Sequence, residues 1–210
     1  MPNITAPALS FPTKSFPGAQ AGVPAGVLGE LVFSEILPKY ATLAKAQKMY
    51  YSTVTYSTAP ASFVTAAQFG PMIWNSSGSN LDAYLLAVGI SNLTTANTGG
   101  GAFGWSSNQQ NDEPTTATLS PAPNCYAGGG PSGMAGVFST ATIGILPTPK
   151  FWPLISLTQA AITLNALSTN WIDVGGALVV GPGNVGYLCG SAVLTATVTT
   201  ATIVWAELST

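Results

Sequence analysis

Met49-Tyr50-Tyr51-Ser52-Thr53-Val54-Thr55-Tyr56, residues 49–56, is the stretch on which the reading of the fold turns. It alternates with period two and is rich in Tyr, Thr and Val, the pattern of a half-buried strand. The segments before it are extended or helical in pattern, and from it onward the pattern turns to strands. The change at Met49 therefore marks the start of a β-domain over 49–210.

Working outward downstream, Pro71-Met72-Ile73-Trp74 precedes the turn-forming run Asn75-Ser76-Ser77-Gly78-Ser79-Asn80. Leu81 to Ile90 then reads as a strand buried on both faces, which predicts a hairpin across 71–90. Residues 94–136 carry TGGGAFGW, SSNQQNDEPTT and YAGGGPSGM, with few regular apolar positions, and read as long loops. Loops of that length usually have a job, either as an exposed surface or pinned against a neighbouring chain. Strands resume at Gly136–Leu146 and Phe151–Leu157, where Pro153 marks an edge strand or a break. Thr158 to Asn165 reads as strand or short helix. The finish is Gly175–Val180, the turn Gly181-Pro182-Gly183-Asn184, Val185–Gly190, and a long apolar and threonine-rich run from Val193 to Leu208. Regular strand spacing with Gly and Pro turns predicts a mainly β fold, an antiparallel β-sandwich of jelly-roll type.

Upstream, prolines at 2, 7, 12, 17 and 24 each remove a backbone donor and bias the preceding residue toward extended conformations. Residues 1–25 therefore read as an extended arm, with Phe11 and Phe16 as apolar anchors. Residues 26–48 read as a short kinked helix that docks. Leu28, Leu31, Val32 and Ile36 share one stripe; Pro38 stops or kinks it; Tyr40, Leu43, Ala44 and Gln47 share a second face. The candidate docking and oligomer-interface residues are thus Phe11, Phe16, Leu28, Leu31, Val32, Ile36 and Tyr40. A helix that merely plugs one end of the β-domain explains the same pattern.

Composition limits the chemistry. The chain has no histidine and no arginine; five lysines and seven acids are its only charged side chains. A Ser-His-Asp or Cys-His arrangement cannot be built, and no arginine is available to read a base edge. No catalytic residue, cofactor site or metal site is assigned, and neither nucleic-acid binding nor membrane insertion is expected. Asp82, Asp112, Glu113 and Asp173 are the acids outside the helical segment and the last strand; none is assigned a catalytic role, and Asp112-Glu113, in a polar loop before Pro114, read as solvated. Lys150, among prolines and aromatics, reads as a lysine whose stem packs on a ring. Cys125 and Cys189 read as two thiols rather than a bridge, and the sequons at Asn3, Asn75 and Asn92 as chance. The first 25 residues lack the basic and apolar regions of a secretory signal, so synthesis in a cytoplasm is expected. A net charge of -2 offers little protection against self-association, which suits an assembly subunit.

Of the tryptophans, Trp74 and Trp205 fall in strand-like contexts and read as core. Trp105, in the glycine-rich stretch, reads as the exposed recognition residue, with Trp152 and Trp171 between these extremes.

The arm, the segment Ser34-Glu35-Ile36-Leu37-Pro38-Lys39-Tyr40, the turn WNSSGSN followed by YLLAVGIS, and the ending IVWAEL together resemble small structural proteins of tailed bacteriophages and prophages. The resemblance implies a virion location and a role as a head-decoration, head-fibre or adaptor subunit. It also implies a homotrimer, with a capsid or connector protein as partner. The composition by itself argues for a non-enzymatic, β-rich assembly subunit. A second reading is a carbohydrate- or receptor-binding module that presents Trp105 and the 94–136 loops to a host-surface glycan.

Overall fold

The computed structural model describes residues 39–56, 61–92, 101–127, 132–133, 135–144, 149–157, 169–191 and 199–209. The chain divides into two units, residues 1–42 and 43–210, and the second holds every described strand. Of the 26–48 segment, residues 39–48 are described. They contain α1 (Ala41–Lys45), a helix of five residues, shorter than the expected second helical piece. Tyr40 and Gln47 hold left-handed backbone on either side of it, with φ of 68° and 57°, so the helical path is broken at both ends.

Among the described residues ten strands follow: β1 (Met49–Tyr56), β2 (Ala67–Asn75), β3 (Leu81–Asn92), β4 (Gly101–Gln109), β5 (Thr115–Leu119), β6 (Gly136–Thr142), β7 (Lys150–Leu157), β8 (Thr169–Val180), β9 (Asn184–Gly190) and β10 (Thr199–Ser209). They form a four-stranded sheet in the order β1-β10-β3-β8 and a six-stranded sheet in the order β5-β6-β2-β9-β4-β7. Every strand pairing is antiparallel.

The pairings are nested. β1 pairs with β10, β2 with β9, β3 with β8 and β4 with β7, as if one long hairpin had been rolled up. That is the jelly-roll wrapping. The connection at the tip of the long hairpin, between β4 and β7, carries the extra strands β5 and β6, which extend the larger sheet beside β2.

Two sequence expectations are corrected here. β2 and β3 flank the Ser76–Asn80 turn, yet they lie in different sheets, so the turn is an arch between layers and not a hairpin. Its anchor is Asn75, whose Nδ2 donates to the carbonyls of Leu81 at 2.7 Å and Val180 at 2.8 Å, tying this arch to the end of β8. That amide is buried and fully used, so the Asn75 sequon is not an accessible one. Residues 94–136 are not simply loops, since they contain β4 and β5. β4 escaped notice because its polar residues are satisfied inside the fold: Ser106 Oγ donates to the Lys150 carbonyl at 2.6 Å, and Asn108 donates to that of Gly144.

The main core lies between the sheets and includes Val54, Leu85, Val88, Phe103, Ile203 and Trp205. On β1 the burial alternates strictly, with Tyr50, Ser52, Val54 and Tyr56 inward. A second cluster, with Met72, Phe138, Val185, Tyr187 and Cys189, lies on the opposite face of the six-stranded sheet. β9 shows the division: Leu188 belongs to the first cluster and its neighbours Tyr187 and Cys189 to the second. This is why β9 is buried on both faces.

Candidate functional site

Trp105 is the first residue to place, and it is not exposed. It is 2% accessible, on β4 facing the main core. Gly186 on β9 makes the room. A Cβ there would stand 2.5 Å from Trp105 Cζ2 and 2.6 Å from Val180 Cγ2, so the indole crosses β9 where there is no side chain. The glycine-rich context that suggested a loop reflects ring-over-backbone packing.

The exposed tryptophans are Trp152, at 54%, and Trp171, at 58%. Trp152 lies on β7 directly opposite Trp105 on β4, hence on the same face of the larger sheet, but at its border. Phe151 faces the other way, over Gly104, where a Cβ would meet its ring at 2.5 Å. Its ring centroid is 5.0 Å from that of Phe63.

β7 and β8 are the outermost described strands of their sheets on one side of the sandwich. Between them runs a groove of about 250 Å³, walled by Trp152, Pro153 and Leu154 of β7 and by Ile172, Val174 and Ala177 of β8, with Asp173 also lining it. Pro153 occupies an edge strand, as expected for a residue with no N–H to give. β8 carries a wide bulge: Leu85 pairs with Leu178 and Ala87 with Asp173, so Val174–Ala177 stand opposite Leu86 alone. Gly175 and Gly176 turn it with φ of 66° and 83°, a conformation that a side chain would penalise. On the opposite side of the sandwich, the β1 edge is partly covered, for Tyr51 N–H donates to the Pro123 carbonyl and Cys125 N–H to that of Met49.

Tyr40 is half-buried, with Lys39 Nζ 4.9 Å from its ring centroid. Phe11, Phe16, Leu28, Leu31, Val32 and Ile36 lie outside the described residues.

The reactive side chains are dispersed. Asp112, Glu113, Asp173 and Lys150 are exposed, Asp82 is half-buried beside the Tyr84 hydroxyl, and Glu207 is buried, accepting from Trp205 Nε1 and the Ala135 N–H at 3.1 Å each. Lys150 is thus a solvated lysine at the start of β7. Among the described residues, no three of the His, Cys, Asp and Glu type gather as metal ligands. Both cysteines are free thiols. Burial pushes the Cys189 thiol and the Tyr56 phenol well up, and raises Tyr187 to about 12, so all three are neutral near pH 7. A desolvated, protonated thiol is a poor nucleophile.

Comparison with protein-family models, curated proteins and solved structures finds no match. The geometry therefore stands alone. It offers a shape for contact: two open edges, one apolar groove and two exposed indoles on the same side.

Sequence reasoning missed Trp152 and Trp171 as the accessible pair. The usable signals were Pro153, which placed β7 at an edge, and the Gly175-Gly176 pair, which marks a bulged strand.

Proposed function

We propose that this chain is a non-enzymatic structural subunit that works by association, with copies of itself and with other structural proteins of a particle. One observation carries the reading: the β7/β8 side presents an apolar groove with Trp152 half out of it, flanked by strand edges that no described strand pairs. Unpaired edges and exposed indoles are costly on a monomer and useful at an interface. Burying the exposed half of Trp152, about 100 Å², contributes about 2.5 kcal/mol per protomer. Few charges oppose such contact, since the net charge is only -2.

Within this reading the subunit is a homotrimer on a virion, attached through residues 1–48 to a capsid or connector protein, as the resemblance of its segments to bacteriophage structural proteins suggests. The test is mass in solution by light scattering over about 1 to 100 µM protein. The expected result is a species of three times the 21.3 kDa protomer, weakened by Trp152→Lys. A constant protomer mass across that range refutes the reading.

A further inference from the structure

The outer face of the four-stranded sheet carries a second surface, which adjoins the groove only at Asp173. Its register sets out three rows across β1, β10, β3 and β8: Thr55, Thr200, Ser91, Thr169; Thr53, Thr202, Gly89, Trp171; and Tyr51, Val204, Ala87, Asp173. The middle row holds an indole, Trp171 on the outermost described strand β8, beside a field of hydroxyls; the other exposed ring of these rows, Tyr51, lies at the far edge on β1.

Gly89 decides the posture of that ring. A Cβ on Gly89 would stand 2.6 Å from Trp171 Cε3 and 2.7 Å from Cζ3, with Thr202 Cβ at 3.7 Å. The indole therefore leans across β3 toward Thr202, resting on bare backbone. With 58% of the residue accessible, one ring face is covered by the sheet and the other is presented outward. Beyond it, Thr53 and Thr202 share a hydrogen bond of 2.8 Å between their hydroxyls, and Thr55 and Thr200 share another of 2.8 Å. Each shared bond uses a single proton, which leaves every pair a spare O–H donor and spare lone pairs. The face thus combines a flat apolar platform with groups that both give and accept hydrogen bonds.

We propose that this face binds a neutral saccharide, with Trp171 stacking on a pyranose ring and the Thr202 and Thr53 hydroxyls engaging its hydroxyls. The occupant follows from the chemistry. None of the described residues in these rows is a lysine, so a nucleotide or a sulfated or sialylated glycan finds no cation among them. A protein partner would need a broad apolar centre, and this face does not offer one: Val204 and Ala87 of the third row are 6% and 4% accessible, and Tyr51 stands apart at the β1 edge. A neutral polyol with an apolar CH face matches both the ring and the hydroxyl field.

The test is an array of neutral oligosaccharides ending in glucose, galactose or N-acetylhexosamine, with sialylated and sulfated glycans beside them, followed by calorimetric titration of the strongest soluble neutral hit. Saturable binding to neutral glycans is expected, reduced on the order of tenfold by Trp171→Ala. Gly89→Ala, which keeps the indole but lifts it from the sheet, weakens binding in the same direction, and Thr202→Val does so without touching the ring. Trp152→Lys leaves the affinity unchanged, which separates this site from the assembly surface. No saturable binding to any neutral glycan, binding confined to acidic glycans, or binding indifferent to Trp171→Ala overturns the proposal. So does a change of solution mass on Trp171→Ala without glycan binding, which would make the face a protein contact.

Discussion

Gly186→Ala is the smallest change that tests how this molecule is packed. Gly186 lies on β9 with φ outside the left-handed region, so its backbone accepts alanine without strain. The entire penalty is steric. The new Cβ would stand 2.5 Å and 2.9 Å from two indole atoms of Trp105 and 2.6 Å from Val180 Cγ2, about 1 Å inside ordinary contact. Neither neighbour can retreat into solvent, since Trp105 is 2% and Val180 0% accessible. Overpacking of this kind costs about 1–3 kcal/mol, and the smaller unfolded-state entropy of alanine returns about 0.4–1 kcal/mol. A net loss of about 1 kcal/mol lowers Tm by about 2–4 °C in a chain of this size. Scanning calorimetry of the wild type, Gly186→Ala, Trp105→Phe and the double variant gives both the loss and the coupling. The two changes should compensate by at least about 0.5 kcal/mol, because the smaller ring vacates the space that the methyl enters. An unchanged or higher Tm for Gly186→Ala, or strict additivity in the cycle, refutes the placement of Trp105 across Gly186.

Asn75→Asp replaces a double donor by a carboxylate facing two carbonyls in a buried site, so urea titration should show a loss of at least about 3 kcal/mol, against about 2 kcal/mol for Asn75→Ala. Losses below about 0.5 kcal/mol for both would mean that the arch does not need those bonds. Alkaline pH should destabilise the fold. Burial raises Tyr187 from 10.0 to about 12 and raises Cys189 above 9.0, so the unfolded chain releases these protons first. The urea midpoint should be level at neutral pH and fall as pH climbs from about 9 toward 12; a midpoint that rises there contradicts the burial. A thiol reagent at neutral pH should modify the half-buried Cys125 in the native protein and Cys189 only after denaturant, a difference read by mass spectrometry. Rapid native labelling of both would place Cys189 at the surface.

What could be read from the sequence, and what could not, follows the physics of each segment. Residues 49–56 were legible because β1 has one face in the core and one outside, so its side chains alternate in polarity as they alternate in burial. The Leu81–Ile90 strand was legible for a different reason, since β3 is an interior strand whose residues from Leu85 to Ile90 are all buried. β4 was not, because its two glycines and the run Ser106-Ser107-Asn108 carry local signals for a turn, while their real causes lie elsewhere in the fold. Phe151 comes over Gly104, and the Lys150 carbonyl receives the Ser106 hydroxyl. The same distance in sequence misled the reading of Trp105, whose burial depends on a glycine on β9. Turn residues 76–80 announced a reversal of direction but not whether the next strand stays in its sheet. That choice is made by Asn75 reaching Val180, 105 positions away. Of the candidate binding surface, Pro153 and the paired glycines were visible as edge and bulge, whereas the facing of β7 and β8 is a property of the wrapped fold alone.

The nested pairing also governs the order in which the molecule can be made. Thr53 on β1 meets Thr202 on β10, 149 positions later, so at about 5–20 residues per second β1 waits about 7 to 30 s for the strand that joins it to the sheet. β10 then enters between β1 and β3, as an interior strand of the smaller sheet. Until it arrives, that sheet exists as two separate halves with their facing edges bare. A nascent β1 beside another chain's β10 would find the same register there as in its own, which makes exchange of this strand between copies the natural error of synthesis. The polar outward row of β1, Thr53 and Thr55, keeps that waiting strand wettable on one face for the duration.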